Sequence, residues 1–218
     1  GRSDAGARAA ASHTASLAAA DSLVEAALRQ AGVIRAYTVE EFLEYLKVFS
    51  YQPLPRGKRV GIATLSGAAA VIACDELHEA GLPLARYSAE TVKIISGLLP
   101  SWQPVNNPAD VWMSMYGDVK TSHEVVINAV LNDPGVDMAL FILLPVANID
   151  FHGVRGVFED AMKRHPDKPI FTVMLGGEVK QKWMRELEGL GIPIFNDTSM
   201  AVKCMKAMRR YATERGKK

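Results

Sequence analysis

From Val60 onward the chain alternates short apolar runs with longer stretches in which apolar positions recur every three or four residues. The runs are Val60–Thr64, Leu84–Tyr87, Met138–Leu144, Pro169–Met174 and Ile192–Phe195. The periodic stretches are Ala68–Ala80, Ala89–Leu98, Val119–Asn132, Gly153–His165, Glu178–Leu190 and Ser199–Arg215. In the last of these, Ala201, Met205 and Met208 fall at i, i+4 and i+7, and Val202 widens the stripe, the pattern of a helix with one buried face. Met138–Leu144 is apolar throughout rather than at alternate positions, as expected of a strand covered on both faces in a parallel sheet. Strands alternating with helices predict an α/β domain with right-handed crossovers. The pattern fits a flavodoxin-like, doubly wound parallel sheet of five strands in the order 2-1-3-4-5. Leu99–Gly117, with Pro100, Pro104 and Asn106-Asn107-Pro108, reads as one long loop, and loops of that length in compact domains are commonly functional.

The N-terminal quarter breaks this rhythm. Asp21 is placed to cap a helix running to about Ala31, with Leu23, Val24, Ala27 and Leu28 on one side. Gly32 stops it, Val33-Ile34 form a short extended piece, and Thr38 with Glu41 has the capping-box spacing that starts a second helix, Val39 to about Phe49. A helix–strand–helix unit supplies one strand and no sheet for it to join. Residues 1–50 therefore read as the C-terminal remnant of a preceding α/β domain, residues 51–57 as a linker held extended by Pro53 and Pro55, and residues 58–218 as the flavodoxin-like domain. The bare apolar face of residues 21–49 also predicts self-association into a homo-oligomer.

Composition narrows the functional classes. At 218 residues, with 49% apolar and 22% charged residues, the chain is neither disordered nor a disulfide scaffold. Its 25 Lys+Arg against 24 Asp+Glu leave a net charge of +1, so no global field draws nucleic acid or an anionic membrane. No apolar run approaches the roughly 20 residues that span a bilayer. The Ala-rich start is interrupted by Arg8, His13 and Asp21 and lacks the apolar centre of a signal peptide. Cys74 and Cys204 sit in helical stretches without metal-ligand spacing, so no metal site is expected and a reducing, cytoplasmic setting is.

Two segments carry candidate chemistry. In Ala11-Ser12-His13-Thr14-Ala15-Ser16 a single imidazole sits among small residues just ahead of a helix, with the hydroxyls of Ser12, Thr14 and Ser16 at hand for oxyanions. A neutral imidazole, with a pKa of about 6.5, is a competent nucleophile near neutral pH; the same residues also describe a plain surface histidine in a small-residue stretch. In Thr64-Leu65-Ser66-Gly67-Ala68-Ala69 a strand turns into a helix, and Ser66, Gly67 and Ala68 would present first-turn amides to a phosphate. The corner is not a P-loop, because no Lys stands in the required position, and it also suits a corner built for close packing. His78, His123 and His165 read as surface or capping histidines, His152 with Asp150 as a weaker site candidate, and Asp110 as a ligand or as an organiser of its own loop.

Taken in order, Ser12-His13-Thr14-Ala15-Ser16-Leu17-Ala18, Asp21, Gln30-Ala31-Gly32-Val33-Ile34-Arg35, Gln52-Pro53-Leu54-Pro55, Arg59–Thr64, Ser88-Ala89-Glu90-Thr91 and Asn107-Pro108-Ala109-Asp110 resemble the ADP-forming (NDP-forming) acyl-CoA synthetases. These are the acetate–CoA ligases related to succinyl-CoA synthetase, and the resemblance covers essentially the whole chain. It implies that His13 is the histidine that takes phosphate from a nucleoside triphosphate and passes it to a carboxylic acid, after which coenzyme A attacks the acyl phosphate. It implies that Ser66, Gly67 and Ala68 open one of two helices whose ends cradle the phosphohistidine. The sequence departs from the family at Ala15, Ala19 and Ala68-Ala69, where glycine is usual. CoA and ATP/ADP with Mg2+ are implied for the complete enzyme and none for this chain alone. The CoA-binding and ATP-grasp domains or subunits of the same synthetase would be its partners. A non-catalytic, synthetase-like regulatory or docking domain is the alternative that the same resemblance leaves open.

Overall fold

Met138–Leu143, the most apolar run, becomes β3 at the centre of the sheet, and every residue in it is buried. The computed structural model describes residues 2–14, 20–145 and 151–216. In chain order they form α1 (Asp4–Thr14), α2 (Asp21–Gln30), α3 (Val39–Tyr51), β1 (Val60–Thr64), α4 (Gly67–Ala80), α5 (Ala89–Ser96), β2 (Ala109–Asp110) and a 3₁₀ turn (Trp112–Tyr116). There follow α6 (Val119–Asn132), β3, α7 (Phe151–Arg164), β4 (Ile170–Met174), α8 (Glu178–Glu188), β5 (Ile194–Phe195) and α9 (Thr198–Arg215). The five strands pair in parallel in the order β2-β1-β3-β4-β5, the expected doubly wound topology.

Alternation along the strands divides the core in two. Met138, Leu140 and Ile142 of β3, with Phe171 and Val173 of β4, face Val48 of α3, Ala69, Ala73 and Leu77 of α4, and the Ala201–Met208 stripe of α9. Ala139, Phe141 and Leu143 face the other way, onto α5, α6, α7 and α8, where Phe141 meets Phe158 edge to face at 5.9 Å between ring centres. Helix starts follow the caps written in the sequence: Thr38, Ser66, Ser88, Asp118 and Asp197 each accept a bond from an amide three residues on.

Three expectations are corrected. Leu84–Tyr87 is not a strand: it touches the sheet at one bridge, Val60 to Leu84, through Val60 N–H to Pro83 O (2.9 Å) and Ala85 N–H to Val60 O (2.8 Å). The edge strand is instead Ala109–Asp110, inside the segment expected to be a loop, because two residues are too few to show a period. Asp21 does not cap α2. Ala20 holds that position without a side-chain bond, and the Asp21 carboxylate pairs with Arg35, which also reaches Glu25 at 3.0 Å. Val33-Ile34 pairs with no strand among the described residues, in keeping with a piece that has no sheet here to join.

The gap on the open side of β1, between the Leu84 bridge and β2, is closed by one side chain. Asn107, which precedes Pro108 through a cis peptide bond, accepts from Ile62 N–H (2.9 Å) and donates to Val60 O (2.7 Å) and Ala85 O (2.8 Å). Its amide thus stands in for a length of missing strand. Gly61 on the same strand lets α6 and the segment after it approach: a Cβ there would lie 2.7 Å from Val136 and 3.0 Å from Val130. Gln52, just after α3, spans the other end of the sheet, donating to Gly191 O (2.6 Å) and accepting from Ile170 N–H (2.8 Å).

Asn107→Leu keeps the branched shape and removes all three bonds. We expect it to destabilise the fold by about 3 kcal/mol, since Ile62 N–H and Ala85 O lose their partner and Val60 O keeps only Ala85 N–H. The measurement is a lowered urea midpoint at unchanged slope, and an unchanged midpoint would contradict the role given to this side chain.

Candidate active site

The carboxyl ends of the parallel strands and the turns that leave them form the natural ligand edge of a doubly wound sheet. At the end of β1 the chain turns sharply because Thr64 Oγ1 accepts from Ser66 N–H and donates to Ser66 O, both at 2.9 Å. The sheet holds this corner from both sides, through Leu65 N–H to Ile142 O (3.0 Å) and Val111 N–H to Thr64 O (2.9 Å). Ser66 Oγ then caps α4 by accepting from Ala69 N–H at 3.4 Å. Gly67 and Ala68 are exposed, and among the described residues no acceptor reaches their amides. Two open N–H groups at the positive end of a fourteen-residue helix suit an anion.

Asp110 flanks these amides. Its Oδ1 accepts from Trp112 N–H at 3.1 Å, and its Oδ2 lies 3.0 Å from where a Gly67 Cβ would be, so Gly67 provides room for the carboxylate. Gln103 Nε2 donates to the Asp110 carbonyl at 2.7 Å and fixes the segment from the other side. Of its two sequence readings, Asp110 acts here as an organiser of its own loop. Trp112 and Tyr116 follow on the 3₁₀ turn, exposed and packed edge to face at 6.0 Å. Sequence reasoning missed this aromatic pair, since a short turn inside a Pro-rich loop has no periodic signature.

The other predicted groups are placed as follows. His13 lies in the last turn of α1, exposed and without a hydrogen bond or ion pair among the described residues. The sequence put it in a stretch ahead of a helix rather than within one. Ser12 Oγ turns back onto its own helix, donating to Ala9 O at 2.7 Å. Thr14 is the final residue of α1, while Ser16 lies outside the described residues. The chain therefore assembles Ser66, Gly67 and Ala68 with Asp110, and no described hydrogen bond links His13 to them. His78 is exposed, as expected, and the side chain of His152, like Asp150, lies outside the description. Among the described residues there is no group of three or more metal-ligating side chains.

The family described as the succinyl-CoA ligase like flavodoxin domain matches residues 1–49. An ADP-forming acetate–CoA ligase (II) of Archaeoglobus fulgidus is 36% identical over 220 residues, covering 99% of this chain and 32% of that protein. The alpha subunit of the ADP-forming acetate–CoA ligase I of Pyrococcus furiosus is 32% identical over 100% of this chain and 46% of its own length. The acetyl-coenzyme A synthetase 1 of Candidatus Korarchaeum cryptofilum, solved with phosphate and ADP, superposes with a TM-score of 0.86 at 29% identity over 99% of this chain and 46% of that one. The chain belongs to the ADP-forming acyl-CoA synthetase family. It spans 32% to 46% of the length of these relatives.

Within this synthetase domain one buried group near the edge was misread. His123 is not a surface histidine: it is 5% exposed and lines a cavity of about 20 Å³ under the corner, together with Thr64, Leu65 and Val111. Its Nδ1 lies 2.8 Å from Val119 O, which requires the proton on Nδ1. Burial pushes its pKa below the ordinary histidine value, opposed by that carbonyl. His165, half-buried, is shifted the same way by burial and by Lys168 and Arg164.

The sign of the pH effect follows. The unfolded chain takes up protons on these rings near pH 6.5, whereas the folded chain resists doing so. Stability present above about pH 6.5 is thus lost as pH falls toward the depressed folded values. Urea titrations at pH 7.5, 6.5 and 5.5 should show this decline, and His123→Leu should flatten it, with His165→Gln removing much of the rest. An unaltered slope in His123→Leu would mean that the buried ring titrates as it does in water.

Proposed function

We propose that this chain is the phosphohistidine-bearing segment and the second flavodoxin-like domain of an ADP-forming acyl-CoA synthetase. The enzyme interconverts acyl-CoA, ADP and phosphate with carboxylic acid, CoA and ATP. Residues 1–50 are the segment carrying the histidine and the end of the preceding domain, 51–57 the connection, and 58–218 the domain that offers the α4 cradle. The observation that carries this reading is the 36% identity to an acetate–CoA ligase across 99% of the chain.

In this reading the His13 imidazole bonds to the γ-phosphorus of ATP as the bond to the ADP oxygen breaks. It then releases the phosphoryl group to a carboxylate oxygen and returns to the neutral ring. The acyl phosphate passes its acyl group to the CoA sulfur, and phosphate leaves. Ser66 shapes the corner, and the Gly67 and Ala68 amides hold phosphoryl oxygens without any buried cation. The exposed, unbonded ring on α1 and the open amides on α4 support these roles. Ser12, Thr14 and Ser16 would steady the loop around the phosphorylated ring. Mg2+, ATP and CoA are assigned to the ATP-grasp and CoA-binding parts of the cytoplasmic synthetase, which are the partners of this chain.

Incubating the full-length synthetase with labelled ATP and Mg2+ should place acid-labile, base-stable phosphate on one histidine, and His13→Asn should abolish it. Label retained in that variant would remove His13 from the relay. The 218-residue chain alone should form no thioester from acid, CoA and ATP, and measurable product would refute its assignment as a part.

A further inference from the structure

The segment that carries His13 is tied at both ends to the same short stretch, Arg35 to Tyr37. Helix α1 has eleven residues, many of them Ala, and none of those whose burial is described is buried, so no apolar face fixes where it lies. Its start is held through Arg2. The Arg2 guanidinium lies over the Tyr37 ring, 5.0 Å from the centroid, and donates to Tyr37 O at 3.3 Å. The same ring carries the Arg35 guanidinium at 5.2 Å. Arg35 in turn pairs with Asp21, the first residue of α2, and with Glu25 at 3.0 Å. The chain thus leaves Tyr37 at residue 2 and is fastened again beside it at residue 21.

Electrostatics explains why these groups gather. Two guanidinium groups on one ring repel each other, and the Asp21 and Glu25 carboxylates neutralise Arg35, which leaves the ring able to hold Arg2. The hydrogen bonds from Arg35 and then from Tyr37 hold the Glu25 carboxyl below the usual carboxylate range. Tyr37 is fixed in its turn: its hydroxyl donates to Glu25 Oε2 at 3.0 Å and its N–H to Glu41 Oε2 at 2.7 Å. Glu41 is buried, and its other oxygen accepts from Lys203 of α9 at 3.1 Å. A continuous path of contacts therefore runs from α9 through Glu41, Tyr37 and Arg2 to α1.

We infer that Tyr37 is a positioning residue for His13: its ring anchors the start of α1 through Arg2, while Arg35 beside it secures the start of α2 through Asp21. The inference rests on the relay role proposed for His13. No described hydrogen bond joins Tyr37 to the imidazole, so its effect on phosphoryl transfer must run through the placement of α1.

Rapid-quench experiments on the full-length synthetase with labelled ATP and Mg2+ test this role. Tyr37→Leu should slow phosphate transfer to His13 about 10-fold, with full final labelling and an unchanged KM for ATP, whereas Tyr37→Phe keeps the ring and should stay within about 2-fold of the parent. Arg2→Leu should slow transfer alike, and Arg2→Leu with Tyr37→Leu should be no slower than either change alone, because both remove one contact. An unaltered rate in Tyr37→Leu, a Phe variant as slow as the Leu variant, or losses that simply add would each overturn the inference. A second measurement is independent of phosphoryl chemistry. Arg8 is exposed in the middle of α1, and trypsin cleavage after it in the 218-residue chain can be followed by mass spectrometry. Cleavage there should be about 5-fold faster in Tyr37→Leu than in the parent or in Tyr37→Phe, and equal rates would also overturn the anchor. A parent synthetase that takes no label on His13 would remove the relay reading and the role of Tyr37 with it, while unequal cleavage at Arg8 would leave the anchor as a feature of the fold alone.

Discussion

A strand in a parallel sheet must find partners for its amides and carbonyls along both edges, and β1 meets this demand with very little neighbouring strand. Its inner edge lies against β3 over all five residues. Its outer edge is completed by a single bridge at Leu84, by the Asn107 side chain and by the two residues of β2. The position of the Ser66 corner depends on this patchwork, because Thr64 O is taken by Val111, the residue that follows β2. The Asp110 carboxylate reaches Gly67 for the same reason. Fold and candidate site thus share one set of hydrogen bonds.

Much of this was legible in the amino-acid sequence. β1 and α6 fall on the residues that periodicity gives, and the cap at Thr38 is made as its spacing with Glu41 predicts. The order 2-1-3-4-5 followed from strands alternating with helices, although its edge strand was expected at Leu84–Tyr87 and is Ala109–Asp110. What escaped has a common cause. Ala109–Asp110 is too short for a pattern, the role of Asn107 needs a long-range partner, and the burial of His123 depends on Val111 and Phe141 arriving from other elements. Asp21 obeyed a local capping rule on paper but found a stronger partner in Arg35, a charge-assisted bond in place of a cap.

The candidate site was readable only in halves. Glycine and serine after a strand mark an amide corner, and the structure holds those amides open. The histidine half is different: nothing in local spacing says what an exposed imidazole on an Ala-rich helix will meet. The role proposed for it rests on likeness to longer synthetases.

Gln52 has a practical consequence for dividing the protein. Because its side chain ties Ile170 N–H to Gly191 O, a gene trimmed to begin at residue 58 would strip the acceptor from the first amide of β4 and uncover the pocket of Val48. The Pro-rich stretch looks like a seam, yet a soluble excised version of the sheet unit should retain α3.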